Sequence, residues 1–490
     1  MNHNLQLNWL KPLCKAHPTA EIFLVGGMVR DLILKRESKD IDLVVRGVPM
    51  TKLIAFLKTR GAVDVVGKTF GVIKFTHKGA AQPQIDIALP RTEHAGGSGA
   101  YRDVAVTFNH LLPIEDDLSR RDFTINAIAL NILTGEIIDP FGGRADIRAK
   151  IIRTVGKPAE RFAEDYTRLL RALRFACQLN FEIEPATARA IKKLLPKING
   201  TVPSELIGRE LVKSLYAHPV RCMELWDSFG AFKQVIPELL KMHKCPQPRN
   251  FHDEGDVWQH TVLALKNLHG APYQKFIKKL PALYDAPKKA SPTQYVATLL
   301  HDVAKPLTIQ TPEKHGVDRI RFTGHDIEGG KVARVVAERL RLSSVEGVNV
   351  DTDLLVWLID HHLLAVQADV ADLKETTIEK YFLRDAVRGR ELLTMLFADG
   401  SATIPSNPKD NKRHLDDVLA RIRRLLKTRG GRQQLPAPLI NGTEIMIALK
   451  LPSGPKIGEL LNAVREAQLA GNIKTKKEAV NFLVDSKNIL

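Results

Sequence analysis

Two groups of residues in this chain have the types and spacing for phosphoester chemistry. In the first, Leu24-Val25-Gly26-Gly27-Met28-Val29-Arg30-Asp31 runs from an apolar stretch into two glycines. Glycines let backbone N–H groups approach a phosphate closely, and a helix starting there favours negative charge. Arg30 adds a charged donor. Shortly after, Lys39-Asp40-Ile41-Asp42-Leu43 sets two carboxylates at alternate positions. On a strand, Asp40 and Asp42 share one face. Paired carboxylates repel unless a cation lies between them. Mg²⁺ suits them, because it takes one or two carboxylates and fills its octahedron with water and substrate phosphates. A metal pair there would activate an attacking 3′-OH and stabilise a leaving pyrophosphate. A third carboxylate is expected, from Asp86 in Gln84–Ala88 or from its competitor Glu93. The adjacent Arg120 and Arg121 suit a triphosphate, with surface salt bridging as the alternative. A glycine pair or an Asp-x-Asp alone is commonplace; the order and spacing make the group specific.

The run Arg161-Phe-Ala-Glu-Asp165-Tyr-Thr-Arg168-Leu-Leu-Arg171-Ala-Leu-Arg174-Phe175 reads as part of one long helix, Arg161 to Gln178. Asp165, Arg168, Arg171 and Arg174 recur every third residue and form a drifting stripe on one face. An Asp and an Arg one turn apart offer an acceptor and donors to the Watson–Crick edge of a free base. The exocyclic amines of cytosine and adenine can donate to Asp165, and ring acceptors can take from Arg168. The later arginines suit phosphates. Ordinary intrahelical salt bridging is the competing reading.

The second group is rich in histidine. Trp258-Gln259-His260, Leu299-Leu300-His301-Asp302-Val303-Ala304-Lys305, Gly324-His325-Asp326, Asp360-His361-His362 and Ala398-Asp399-Gly400 fall on or beside successive helical patterns. Converging helices would gather His260, His301, Asp302 and Asp399 around one divalent metal, Mg²⁺, Ni²⁺ or Mn²⁺. A bound metal would activate water for phosphoester hydrolysis. His325 and His361, or its neighbour His362, are candidates for substrate or a second metal.

The elements that must position these residues follow from periodicity. Ile22–Val25, Ile41–Val45, Val72–Phe75, Ile85–Ala88 and Ile137–Ile138 read as strands, with Met28–Lys35 helical. From Ile147 onward strand signals nearly vanish. Ala186–Leu195, Ser204–Ala217, Val257–Leu268, Tyr295–His301, Gly329–Leu342 and Leu354–His361 carry helical periodicity. Pro246–Phe251 and Pro287–Pro292 read as loops, and Thr403–Arg413 as a connector. The class is therefore α+β, a mixed-sheet head followed by helices.

The 490 residues predict several domains. A net charge of +17 points to a polyanionic partner, with nucleic acid first. Arg421–Lys427 and Lys474–Lys477 are candidate contacts to its backbone or simply solvated helix faces. Cys14, Cys177, Cys222 and Cys245 form no CxxC pair, which argues against a disulfide framework or zinc ribbon. Neither a signal peptide nor a membrane span is expected, and a reducing cytoplasm fits.

The blocks from Phe23 to about Glu184 resemble the class II tRNA nucleotidyltransferase and bacterial poly(A) polymerase family, in the polymerase-β-like superfamily. The resemblance implies a head (1–146), a nucleotide-selecting neck (147–245), a body (246–405) and a tRNA-binding tail (406–490). It implies that Asp40 and Asp42 are the catalytic metal ligands, and that Gly26, Gly27, Arg30 and Arg121 hold the nucleotide. Asp165 and Arg168 would select CTP and ATP without a nucleic-acid template, and Arg171 and Arg174 would support the triphosphate. Thr92–Phe108 looks like the family's flexible loop, which helps switch from C to A addition. Thr134–Phe141, Glu164–Arg171 and the tail segments Leu439–Ile445 and Gly454–Leu461 look more like CCA-adding members. Poly(A) synthesis and CC-only or A-only addition are the alternatives. The histidine set resembles HD-domain phosphohydrolases, which some CCA-adding enzymes carry. It implies hydrolysis of 2′,3′-cyclic phosphates or 2′-phosphates. A third reading makes that hydrolase the main enzyme and the head an RNA-binding module. The partners implied are tRNA, CTP and ATP, with no membrane, for a monomer or homodimer.

Overall fold

A computed structural model describes residues 7–37, 41–66, 71–78, 84–100, 103–345, 347–364, 373–407, 414–428 and 436–486. The chain forms two compact units, Met1–Val235 and Ile236–Leu490.

The first unit is built on β1 (Glu21–Val25), β2 (Ile41–Arg46), β3 (Gly61–Val66), β4 (Val72–His77), β5 (Ile85–Ala88), β6 (Arg91–Ala95), β7 (Val104–Phe108), β8 (Ala129–Asn131) and β9 (Ile137–Ile138). Seven of these make one sheet in the order β3-β4-β5-β2-β1-β8-β9. β2 and β5 pair in parallel, and the other neighbours pair antiparallel. The register sets Asp42 beside Asp86. In-register neighbours project to the same side of a sheet. Ile41, Leu43, Ile85 and Ile87 are buried around these half-buried carboxylates. All five expected strands are present. β3 was hidden by its Gly-Ala start and by Asp64, and β8 by its length of three residues.

Thr92–Phe108, expected as a loop, is bounded by strands. β6 and β7 pair antiparallel as a separate ribbon, with Thr92 opposite Thr107. The alternation Val104-Ala-Val106-Thr-Phe108 favours this.

The expected long helix is two. α1 (Pro158–Glu164) ends at Asp165, whose backbone is extended (φ −157°, ψ 105°), and α2 (Thr167–Leu179) follows. Asp165 Oδ1 accepts from the Thr167 N–H at 2.8 Å and its hydroxyl at 2.6 Å. The Tyr166 N–H leaves the helical ladder for the Gly99 carbonyl at 3.0 Å. A short carboxylate bonding backbone two residues on competes with helix continuation. Asp165 is therefore not on the same helix as Arg168.

The second unit is helical. α3 (Val257–Asn267) opens with a capping box in which Asp256 and Gln259 bond reciprocally. α4 (Pro292–Leu300), α5 (His325–Arg339), α6 (Thr352–His361) and α7 (Ala386–Gly400) carry or adjoin the remaining histidine and aspartate motifs. Later helices close over Ile445, Leu460, Val464 and Leu483. Within Arg421–Lys427, Arg421 and the largely exposed Arg424 both pair with the buried Glu375. Residues 408–413 of the expected connector lie outside the described set.

Candidate functional site

In the first unit the turn after β1 is forced open by geometry. Gly26 has φ +71°, and a Cβ there would lie 2.8 Å from Arg121 Nη1 and 3.7 Å from Asp42 Oδ2. A side chain would thus be strained and would intrude on the space that Arg121 and Asp42 both border. Arg121 is steadied by Asp117 Oδ2 at 3.1 Å, and Arg120 by Asp117 Oδ1 at 2.7 Å. Burial would raise the Asp117 carboxyl, but the two guanidiniums hold it below its usual range. Asp86 stands beside Asp42. Glu93, its competitor, is instead paired with Arg91 at 2.8 Å and Arg120 at 2.5 Å on the ribbon. Asp40 lies outside the described residues.

Arg30 differs from its expected role as a phosphate donor. It is buried, binds Asp31 through Nε at 2.9 Å and Nη2 at 3.0 Å, and donates from Nη1 to Asn126 Oδ1 at 2.8 Å. Asn126 donates to Asp122 Oδ1 at 3.1 Å, and Arg171 reaches Asp122 Oδ2 at 2.8 and 2.5 Å. A polar chain therefore joins the glycine turn to α2. Burial opposes the Asp122 charge, but Arg171 and the Asn126 amide hold its carboxyl down at about 2.

The expected arginine stripe is largely committed within the protein. Arg168 donates to Glu164 at 2.6 Å, to the Arg161 carbonyl at 3.0 Å and to the Arg120 carbonyl at 3.3 Å. Arg174 binds Glu210 at 2.5 Å and covers the Phe175 ring at 4.0 Å. Arg171 and Arg174 brace α2 against buried carboxylates, which sequence spacing alone did not reveal.

In the second unit, His260, His301, Asp302 and Asp399 do converge. His260 Nε2 lies 2.9 Å from Asp399 Oδ1 and 3.9 Å from Asp302 Oδ2. His301 Nε2 lies 3.3 Å from Asp302 Oδ2 and 3.7 Å from Asp399 Oδ1. On the other side of Asp302, Oδ1 faces His325 Nε2 at 3.4 Å and His362 Nε2 at 3.8 Å. His362 is the inward residue. His361 bonds the Trp357 carbonyl at 2.8 Å and stacks on the Trp357 ring, so the expectation for His361 passes to its neighbour. Both sit at the end of α6, and consecutive helical positions point in different directions.

This cluster fits a cation. His301 Nε2 and both Asp302 oxygens are buried without a well-directed hydrogen bond among the described residues, although Lys305 Nζ stands 2.7 Å from Oδ2. Orphaned buried groups of this kind are costly in a folded protein. Burial would push the His301 ring down, but Asp302 and Asp399 drive it up to about 10. Burial and the neighbouring imidazoles push His362 down to about 4. Such opposed shifts mark a crowded set of ligand-type groups. Imidazoles and carboxylates suit a divalent transition metal or Mg²⁺. Sequence reading missed Glu254, a buried carboxylate 2.8 Å from His260 Nδ1. The acidic His252-Asp253-Glu254 before α3 was the available signal.

Sheet topology and the approach of Arg121 and Asp42 to the Gly26 turn fit a nucleotidyltransferase of the poly A polymerase head class. Residues 22–153 match the model of the poly A polymerase head domain, and 180–242 match a probable RNA and SrmB-binding site of polymerase A. The chain is 35% identical over 373 residues to the multifunctional CCA protein of Nitrosococcus oceani, covering 75% of this chain and 80% of that protein. With the multifunctional CCA protein of Xanthomonas oryzae pv. oryzae it shares 31% identity over 466 residues, 93% of this chain and 99% of the relative. The chain belongs to the family of multifunctional CCA proteins. Its fold matches the Bacillus stearothermophilus CCA-adding enzyme solved with CTP (TM-score 0.61, 23% identity, 99% of this chain and 96% of that one). It also matches the Thermotoga maritima CCA-adding enzyme solved with tRNA (TM-score 0.56, 21% identity, 98% and 93%). Members of this nucleotidyltransferase class use a divalent metal.

Proposed function

We propose that this chain adds C, C and A to the 3′ end of tRNA from CTP and ATP, releasing pyrophosphate at each addition. The observation that carries the reading is the pairing of Asp42 with Asp86 beside the Gly26 turn and Arg121, in a chain alignable along most of its length with multifunctional CCA proteins. Asp42 and Asp86, together with Asp40, would hold Mg²⁺. When bound, magnesium lowers the pKa of the attacking 3′-OH and neutralises charge on the leaving pyrophosphate. Arg121 binds the triphosphate by charge and by its planar fork. Asp165 accepts the exocyclic amine of cytosine or adenine, and Arg168 donates to ring acceptors of the same edge. Uracil and guanine present a carbonyl oxygen where those bases present the amine, so they set two acceptors against each other at Asp165. Arg30, Asn126, Asp122 and Arg171 keep the turn and α2 in one arrangement. The domain reading follows the same division: head to residue 146, neck to 245, body to 405, then a tRNA-binding tail. No described helix is long and apolar enough to cross a membrane, and tRNA maturation in the cytoplasm fits this reading.

The experiment supplies tRNA lacking its CCA end with CTP, ATP or both, in Mg²⁺, and sequences the products. A single CCA supports the proposal. A long A tract would replace it with poly(A) synthesis, and a CC or single-A product with a split activity.

A second activity is supported by the histidine cluster. His260, His301, Asp302 and Asp399 would hold a divalent ion, and the bound ion would supply an activated water for hydrolysis of 2′,3′-cyclic or 2′-phosphates. His325 and His362 would hold substrate or a second ion, and Lys305 would bind the phosphoryl oxygens by charge. Release of 2′-phosphate from a tRNA 3′ end, lost in His301→Ala, is the check.

A further inference from the structure

The imidazoles around Asp302 are not all oriented in the same way. His301, His325 and His362 present Nδ1 to the carbonyl oxygens of Thr298, Phe322 and Ile359 at 2.9, 2.7 and 2.6 Å. A carbonyl only accepts, so in each neutral ring Nδ1 carries the proton and the Nε2 lone pair faces inward. His260 has no such carbonyl. Its Nδ1 lies 2.8 Å from Glu254 Oε1.

Glu254 is itself tied in several directions. Its side chain is 3% exposed, and Oε1 also lies 2.7 Å from His252 Nδ1. Its Oε2 accepts the Ile404 N–H at 2.9 Å, and the neighbouring Asp253 N–H donates to the Ile404 carbonyl at 2.7 Å. Ile404 lies just beyond α7, the helix that carries Asp399. One carboxylate thus contacts the ring of one ligand candidate and the chain that leaves another.

We infer that Glu254 is a positioning residue for the metal centre: it fixes His260 with the proton on Nδ1, aims Nε2 at Asp399 and Asp302, and anchors the segment following Asp399. The inference rests on reading the histidine cluster as a metal centre. A carboxylate behind a ligating imidazole fixes its tautomer and raises its basicity. The competing arrangement, a cation held by Glu254, His252 and His260 Nδ1, would leave the proton on His260 Nε2 and remove that ring from the centre.

The test titrates Mn²⁺ into full-length, chelator-treated protein by calorimetry, comparing wild type, Glu254→Gln, Glu254→Ala and His301→Ala. Gln keeps an acceptor without the charge, and Ala removes both. Affinity should fall about ten- to a hundredfold in Glu254→Ala and less in Glu254→Gln. Far-UV circular dichroism and thermal melting should match wild type in both, reporting folded protein, and nucleotide addition by the other unit should stay at the wild-type rate. Unchanged Mn²⁺ affinity in both Glu254 variants, with weakened binding in His301→Ala, would overturn the inference alone. Loss of one equivalent of Mn²⁺ with the remaining affinity intact would make Glu254 a ligand of its own site and also overturn it. Equal Mn²⁺ binding by wild type and His301→Ala would bring down the metal-centre reading and this inference together.

Discussion

The head and the histidine cluster handle concentrated charge differently. In the head, Asp42 and Asp86 are half-buried on adjoining strands and Arg121 is paired with Asp117, while elsewhere in the unit Arg171 is paired with Asp122 and Arg174 with Glu210. In the second unit, His301 Nε2 and Asp302 Oδ1 are buried without a hydrogen-bond partner among the described residues, while Asp302 Oδ2 has the Lys305 ammonium beside it. Each such atom costs about 1–3 kcal/mol unless something binds it. The head pairs Arg171 and Arg174 with buried carboxylates and leaves the buried Nε of Arg121 without a hydrogen-bond partner among the described residues. A buried cluster with unsatisfied ligand atoms has the donor set that suits a divalent ion.

Disabling each site separately should give the largest effects. Asp42→Ala should lower CCA addition by roughly a thousandfold or more, because several kcal/mol of charge stabilisation vanish, and should leave 2′-phosphate hydrolysis intact. Asp302→Ala should do the reverse. Loss of both activities in either variant would mean that the sites are not independent.

The internal pairing of Arg171 and Arg174 carries the next largest effect, on stability. Glu210→Ala strands the Arg174 guanidinium, whose partner is 3% exposed, and should cost about 3 kcal/mol. Urea unfolding followed by circular dichroism checks this, and a shift within error would mean Arg174 finds water instead. Acid titration probes the same network more gently. Asp122 lies at about 2 against an ordinary 3.8, so its contribution is complete above about pH 4 and is lost as pH falls through about 2. The amount is about 2 kcal/mol, and Asp122→Asn should flatten that part of the stability curve. The smallest effect is on selectivity. Asp165→Ala should narrow the preference for CTP and ATP over UTP and GTP by roughly tenfold, read as a ratio of kcat/KM values. A uniform fall for all four nucleotides would assign Asp165 only its observed role of bonding Thr167 at the start of α2.

Part of this was legible in the residues themselves. The alternation of Ile41-Asp42-Leu43 and Ile85-Asp86-Ile87 announces strands with one carboxylate face, and the glycine turn before Met28 announces a break between strand and helix. The ordered blocks carried the family resemblance because each has a local signature. The His301-Asp302 pair and its companions were recognisable as ligand types for the same reason.

The sequence by itself thus determined most of the element types, the two candidate centres and most of their members, since all of these depend on periodicity and side-chain chemistry within a few residues. Tertiary structure alone decided that Asp86 rather than Glu93 stands beside Asp42, that Arg171 and Arg174 spend their charge on Asp122 and Glu210, that His362 faces inward instead of His361, and that Glu254 backs His260. Each of those choices is a contest between chemically equivalent side chains, settled by strand register, helix rotation or burial. These depend on contacts between segments far apart in the chain, which local spacing does not encode.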